Sequence, residues 1–247
     1  MNNIGFGILC FGADYYFNGA IDKMNHIIDR GFRCYILTDN RVKFINYFSA
    51  NYILDYNRQL KSYYDKMLLP KHILKHHDIC ILMDADLCVT DYSFLDYLKE
   101  YKFSEGISYI DILLNHKCQK QCVKDLDLFS PDWNDYRRFA EYICPDFGDL
   151  ELMWEYFLVI NRKGFNQAEF YKYYEKLQIA KEYCDLQVNK EVYAPGEGIS
   201  IAISADLSNT PIQRDMVLYD KLKDNMLSVS RRFTPKHLWP DILNDTK

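Results

Sequence analysis

Two carboxylates separated by one small residue, in Asp84-Ala85-Asp86, are the part of this chain best suited to chemistry. They close an apolar run, Asp78 to Met83, that reads as a buried strand. Side chains of an extended segment alternate in direction, so Asp84 and Asp86 point the same way and Ala85 permits close approach. Carboxylates held that near each other repel unless a cation stands between or beside them. A hard divalent ion with oxygen ligands, Mg²⁺ or Mn²⁺, meets that need, and phosphate oxygens complete its shell. Such an ion neutralises charge on a departing diphosphate. Paired acids on a solvated surface mean nothing by themselves. The end of a buried strand is what gives this pair weight.

The elements that must position the pair alternate. Ile4 to Phe11 reads as a first strand, followed by a turn at Gly12-Ala13-Asp14. Asn18 to Arg30 carries Ala20, Ile21, Met24, Ile27 and Ile28 at helical spacing, with Gly31 as a stop. Phe32 to Leu37 gives a second strand closed by Thr38, Asp39 and Asn40, which completes a βαβ unit and implies a parallel sheet. Tyr56 to Leu69 reads as a helix broken at Pro70, before the strand that ends in the acids. A short helix follows Asp91 or Ser93 and runs to about Tyr101. Ile107 to Leu114 and Leu152 to Ile160 read as strands, Phe165 to Lys181 as a helix, and Ile199 to Leu207 as an apolar segment after a turn. The fold class expected is α/β: an open mixed, mainly parallel, Rossmann-like sheet flanked by helices. In such sheets ligands bind beyond the carboxyl ends of the strands, where the strand order reverses. One domain spans residues 1–247 in this reading, with no repeats or linkers. Residues 1–115 form its nucleotide and metal half, and 116–247 the other half with a closing tail.

Composition excludes several alternatives. With 49% hydrophobic and 26% charged residues the chain is that of an ordinary globular protein. A net charge of −5 disfavours non-specific nucleic-acid binding, which depends on neutralising phosphates. The 21 tyrosines and 15 phenylalanines are an excess; most belong in the core, though a tyrosine face also suits stacking on sugars or bases. No apolar stretch approaches the roughly 18 residues of a membrane helix. The amino terminus shows no basic leader. The eight cysteines are scattered without a CxxC, which reads as reduced thiols in a cytoplasmic protein.

The run Tyr63-Tyr64-Asp65-Lys66-Met67-Leu68-Leu69-Pro70, followed by Ile79 to Val89 as ICILMDADLCV, resembles the core of glycosyltransferase family 8. There a helix of the form YYR-x-LLP precedes a strand ending in LDAD. The resemblance covers about residues 4 to 98. It implies a GT-A fold and transfer of a sugar from a nucleotide-sugar donor, with UDP the expected nucleotide. It further implies a Mn²⁺ or Mg²⁺ cofactor and retention of anomeric configuration. Asp84 and Asp86 match the metal-binding pair, and Lys66 stands where the family has arginine, keeping the charge without the bidentate fork. The family's Asn-x-Gly segment corresponds to Met153 to Asn161, which has neither the Asn nor the Gly. Its Asp-Gln-Asp segment is matched at best by Pro195-Gly196-Glu197-Gly198. The closing His of the family corresponds to His237 in Lys236-His237-Leu238-Trp239. The ending Phe233 to Trp239 is also similar to the Pro-x-x-x-Trp close of family 6.

Each remaining candidate carries a plainer alternative. His237 is a third metal ligand if the tail folds over the site, or a surface residue. Glu197, exposed on a tight turn, serves catalysis or acceptor binding, or is a turn acid. Asp149, Glu151 and Glu155 cluster before the late strand, and any one of them could displace Glu197 as the acceptor-side acid. Asp39 contacts base or ribose, or caps the next segment. Phe11, Tyr15 and Tyr16 after the first strand stack on the donor's base, or pack in the core. Arg231 meets the diphosphate, or is solvated with Arg232. His76-His77 precedes the third strand, at the end opposite Asp84, and reads as a polar turn. The acceptor expected first is a glycan, then a protein side chain or a modified nucleobase. Three rivals use the same residues differently. A nucleotidyltransferase calls for a Gly-rich basic loop after the first strand, which Gly12-Ala13-Asp14 is not. A haloacid-dehalogenase-type phosphatase would open with its DxD. A decayed, sugar-binding transferase would not keep both acids.

Overall fold

The computed structural model describes residues 2–12, 14–56, 63–110, 144, 146, 153, 156–187, 197–223 and 225–228. The chain opens with strand β1 (Ile4–Cys10), helix α1 (Asp14–Asp29), β2 (Arg33–Thr38), a short α2 (Val42–Ile45) and β3 (Ile53–Asp55). A 3-10 turn (Tyr63–Met67) leads into α3 (Leu68–Ile73), β4 (Ile79–Asp84), β5 (Leu87–Val89) and α4 (Phe94–Leu98). Then come β6 (Gly106–Tyr109), β7 (Phe157–Asn161), α5 (Gln167–Gln187) and α6 (Glu197–Leu207). Last are β8 (Ile212–Arg214), α7 (Met216–Leu222) and β9 (Met226–Ser228).

Seven strands form one open sheet in the order β3-β2-β1-β4-β7-β6-β8. All run parallel except β7, which is antiparallel to both β4 and β6. The expected mixed, mainly parallel sheet flanked by helices is therefore present. Alternation along β1 explains how the helices come near. Ile4, Phe6, Ile8 and Cys10 share a core layer with Phe17, Ala20, Met24 and Ile27 of α1. On the other face stand Gly5, Gly7 and Leu9. A Cβ on Gly5 would lie 2.6 Å from Ile73 Cγ2, and one on Gly7 2.9 Å from Ile73 Cδ1 and from Leu82. These glycines let α3 lie directly on the sheet. The second core layer is built there from Leu69, Ile73, Leu82, Phe170, Tyr171 and Ile201, among others.

Several elements differ from their sequence readings. Helix α1 begins at Asp14 rather than Asn18, while Gly31 ends it as expected at φ +84°, with its N–H bonded to Ile28 O at 2.8 Å. Pro70 does not break a helix; it sits in the first turn of α3, where its missing N–H has no helical partner to lose. Residues 57–62 of the helix expected from Tyr56 lie outside the described residues. The segment from Ile199 is helical from Glu197 onward, so the described Glu197 is a helix residue and not a turn residue. It is apolar on most sides because α6 is buried, and Ser204 Oγ donates to Ser200 O at 2.7 Å. The strands expected over 107–114 and 152–160 correspond to β6 and β7, and residues 111–114, 152, 154 and 155 of those segments lie outside the described residues. The short strands β3, β5, β8 and β9 carry too few residues to show a period.

Gly106 opens β6 at φ +78°, where a Cβ would lie 2.2 Å from Pro211 O. Gly106→Ala is expected to destabilise the protein by about 2 kcal/mol or more, read as a lower urea midpoint at unchanged slope.

Candidate active site

Strands β1, β2 and β4 end on the same side of the sheet. The chain steps outward from β1 to β2 and β3, then returns to place β4 on the other flank of β1. A crevice forms outside the carboxyl ends of strands at such a reversal. Asp84 ends β4, in register with Leu9 of β1, and Asp86 follows it. Phe11 comes directly after β1, Tyr15 and Tyr16 lie in the first turn of α1, and Asp39 comes directly after β2. Topology thus brings six of the expected site residues to one end of the sheet. Because β7 runs backwards, it starts at this same end, and Tyr156 O accepts from Asp84 N–H at 3.1 Å.

Lys66 joins them from the 3-10 turn. Its ammonium makes an ion pair with Asp84 Oδ1, and the residue is only 2% exposed. The turn is pinned from within. Asp65 is fully buried and accepts from Tyr56 Oη and from Gln178 Nε2, the latter at 2.5 Å, while Tyr171 Oη donates to Met67 O at 2.6 Å. Tyr56 also packs on Phe11, with ring centroids 5.5 Å apart. The Asp65 network therefore connects the turn that carries Lys66 to the aromatic wall after β1.

Lys23 was not expected at the site. It lies in α1, 3% exposed, and its Nζ donates to Ala85 O at 2.8 Å and Gly19 O at 3.1 Å. Burial pulls its pKa down to about 8, against the opposing fields of Asp86, Asp22, Cys88 and Asp84. Gly19 belongs to the same contact, since a Cβ there would lie 2.6 Å from Ala85 O. One signal was present in the sequence: Lys23 interrupts the apolar stripe of Ala20, Met24 and Ile27, where a lysine is costly to bury. Opposite forces act on Asp86, whose carboxyl is pushed up to about 6. Burial is the largest cause and repulsion from Asp84 the next, while Lys23 and Lys66 pull it down.

Those shifts bear on whether a divalent ion suits the site. Asp84 and Asp86 offer hard oxygen donors, and burial and the Asp84 charge make ionised Asp86 costlier than usual, a cost that a bound cation would offset. That donor chemistry fits Mg²⁺ or Mn²⁺. Among the described residues no group of three or more His, Cys, Asp and Glu side chains comes together. Asp149, Arg231 and His237 lie outside the described residues, as does the side chain of Glu197. Strand register nevertheless says where the tail starts. β5 follows Asp86 directly and pairs with β9, with Leu87 opposite Ser228. The chain that carries Arg231 and His237 leaves the described structure beside Asp86.

His77 is not in a polar turn. It is buried, with Nδ1 2.8 Å from Asn3 Oδ1 and Nε2 3.1 Å from Tyr35 Oη, and burial lowers its pKa. It remains at the opposite end of β4 from the acids. The described cysteines are free, and burial pushes the thiol of Cys10, beside the site, up to about 12. No described helix is long and apolar enough to cross a membrane.

No family model matches the chain, and no curated protein matches it. Solved structures do. The galactosyltransferase LgtC, in complex with donor and acceptor sugar analogues, is 12% identical over 85% of this chain and 72% of its own, with a TM-score of 0.45. A glycosyltransferase involved in glycosylation of the major capsid of PBCV-1 is 8% identical over 95% of each chain, at 0.46. A Drosophila β-1,4-galactosyltransferase 7 mutant, in complex with manganese, UDP-Gal and xylobiose, is 9% identical over 94% and 72%, at 0.41. At such identities these are likenesses of fold.

Two outcomes follow from the site's buried charges. Asp65→Ala is expected to cost about 2–4 kcal/mol in unfolding experiments, because Tyr56 and Gln178 lose a buried acceptor. Asp86 gives a pH signature. A carboxyl raised in the folded state favours folding fully below its unfolded value, and that benefit disappears as pH rises through its folded value. Between about pH 4 and pH 6, metal-free wild type should therefore lose on the order of 2 kcal/mol relative to Asp86→Asn, measured by urea unfolding in chelator.

Proposed function

We propose that the protein is a metal-dependent glycosyltransferase that moves a sugar from a nucleotide-sugar donor, a UDP-sugar, to an acceptor hydroxyl. The observation that carries this reading is the placement of Asp84 and Asp86. They leave the carboxyl end of a central strand at the reversal of strand order, with a buried lysine against the turn and another on Asp84. A Mn²⁺ or Mg²⁺ ion held by the two carboxylates would supply charge neutralisation at the leaving diphosphate.

The chain's own residues do the rest in this reading. Phe11, Tyr15 and Tyr16 present aromatic surface to the donor's base, and Asp39 at the end of β2 meets its ribose. Lys66 fixes Asp84 and adds positive charge toward the diphosphate. Arg231 would meet the diphosphate and His237 would be the third ligand of the ion. The family resemblance favours retention. In an inverting enzyme Glu197 or Asp149 would act as general base on the acceptor hydroxyl. The acceptor proposed is a glycan, and the free cysteines among the described residues accord with a cytoplasmic setting.

The test is hydrolysis of a panel of UDP- and GDP-sugars with and without Mn²⁺. Slow Mn²⁺-dependent release of one nucleotide is expected, falling about 100-fold or more in Asp86→Ala. Unchanged release in that variant, or no turnover and no binding of any nucleotide sugar, would refute the reading.

A further inference from the structure

We infer that Lys23 is a built-in counter-cation of the Asp84-Ala85-Asp86 turn, and that it makes the turn take a divalent ion together with a diphosphate rather than alone. The inference rests on the metal-dependent reading given above. Its geometry is independent of that reading. Gly19 allows α1 to touch the turn, and Lys23, one helical turn later, fills the contact with an ammonium group. Both carbonyls that it binds are neutral, so hydrogen bonding alone does not explain a buried positive charge. Charges facing it do. Asp86 is foremost, then Asp22, Cys88 and Asp84. Burial raises the pKa of the Cys88 thiol, and Asp22 stands at the surface, 41% exposed, bonded by Tyr92 Oη at 2.9 Å with His26 Nε2 3.5 Å away. Water screens Asp22 more than it screens the turn.

Lys66 reaches Asp84 from the opposite face of the sheet, from the core layer of α3 rather than that of α1. Among the described residues, two buried ammonium groups therefore stand against the carboxylates of Asp84 and Asp86. A cation arriving alone gains the carboxylates and meets two positive charges at short range. A cation arriving with a diphosphate brings enough negative charge to outweigh them. The lysines thus tie occupancy of the metal position to occupancy of the donor position, which is a function that packing alone would not require.

Calorimetric titration of the full chain with Mn²⁺ alone, and with Mn²⁺ at saturating UDP, tests this. Wild type should bind Mn²⁺ at least about tenfold more tightly with UDP present, and Lys23→Met should bind Mn²⁺ alone about tenfold more tightly than wild type. Affinity for Mn²⁺ alone that is unchanged or weaker in Lys23→Met would overturn the inference. If wild type binds neither Mn²⁺ nor UDP, the metal-dependent reading falls first. Lys23 is then judged without metal, by a double-mutant cycle in urea with chelator present. The loss caused by Lys23→Met should shrink at least fivefold, as an unfolding equilibrium constant, in an Asp86→Asn background. Additive losses would overturn the inference. If Lys23→Met alone does not fold, recovery of folding in the double variant supports it, and failure of both overturns it.

Discussion

Charge has to be balanced where β4 ends, and much of the architecture around the sheet's centre follows from that. Two acids emerge from a strand buried along its length, at a point where water reaches them only in part. Neither would be tolerable without positive charge close by. Lys66 and Lys23 provide it from opposite faces of the sheet, and each requires its own helix to approach unusually near. Gly5 and Gly7 make that possible for α3, and Gly19 for α1. Three positions without side chains in two elements therefore serve one electrostatic requirement.

The requirement also explains the buried polar residues behind the site. Lys66 is useful only if its turn is fixed, and a 3-10 turn has little rigidity of its own. Asp65, Tyr56, Gln178 and Tyr171 fix it through side-chain and main-chain bonds that are themselves out of water. Since Tyr56 packs on Phe11, the same network sets the aromatic wall that follows β1. A polar interior of this kind is stable only when every member is satisfied, which leaves little freedom for any one of them to move.

Much of this was legible in the sequence, unevenly. Asp84 and Asp86 could be read because an apolar run ending in acids is a local pattern, and the βαβ order before it fixed which end of the sheet they occupy. Lys66 could be named from its place in the Tyr63-to-Pro70 run, but not its partner, which lies 18 residues on in another element. Lys23 was hidden by its type: a lysine in an amphipathic helix reads as solvated, and only its position inside the apolar stripe says otherwise. Glu197 and Pro70 went astray for a common reason. Pro and Gly mark turns by frequency, yet Pro is tolerated in a first helical turn, and burial overrides the turn tendency of Gly198.

The pairing of β5 with β9 has a consequence for how the molecule is made. Leu87 and Ser228 are roughly 140 residues apart in sequence, yet they are opposite one another beside Asp86. Closing so long a loop is entropically unfavourable until most intervening structure exists to hold its ends together. During synthesis from the amino terminus, the acids and both lysines are in the nascent chain long before their final neighbour emerges. The strand next to the Asp84-Ala85-Asp86 turn therefore waits for roughly 140 further residues. Pairing beside Asp86 therefore comes after the first half of the sheet can have formed.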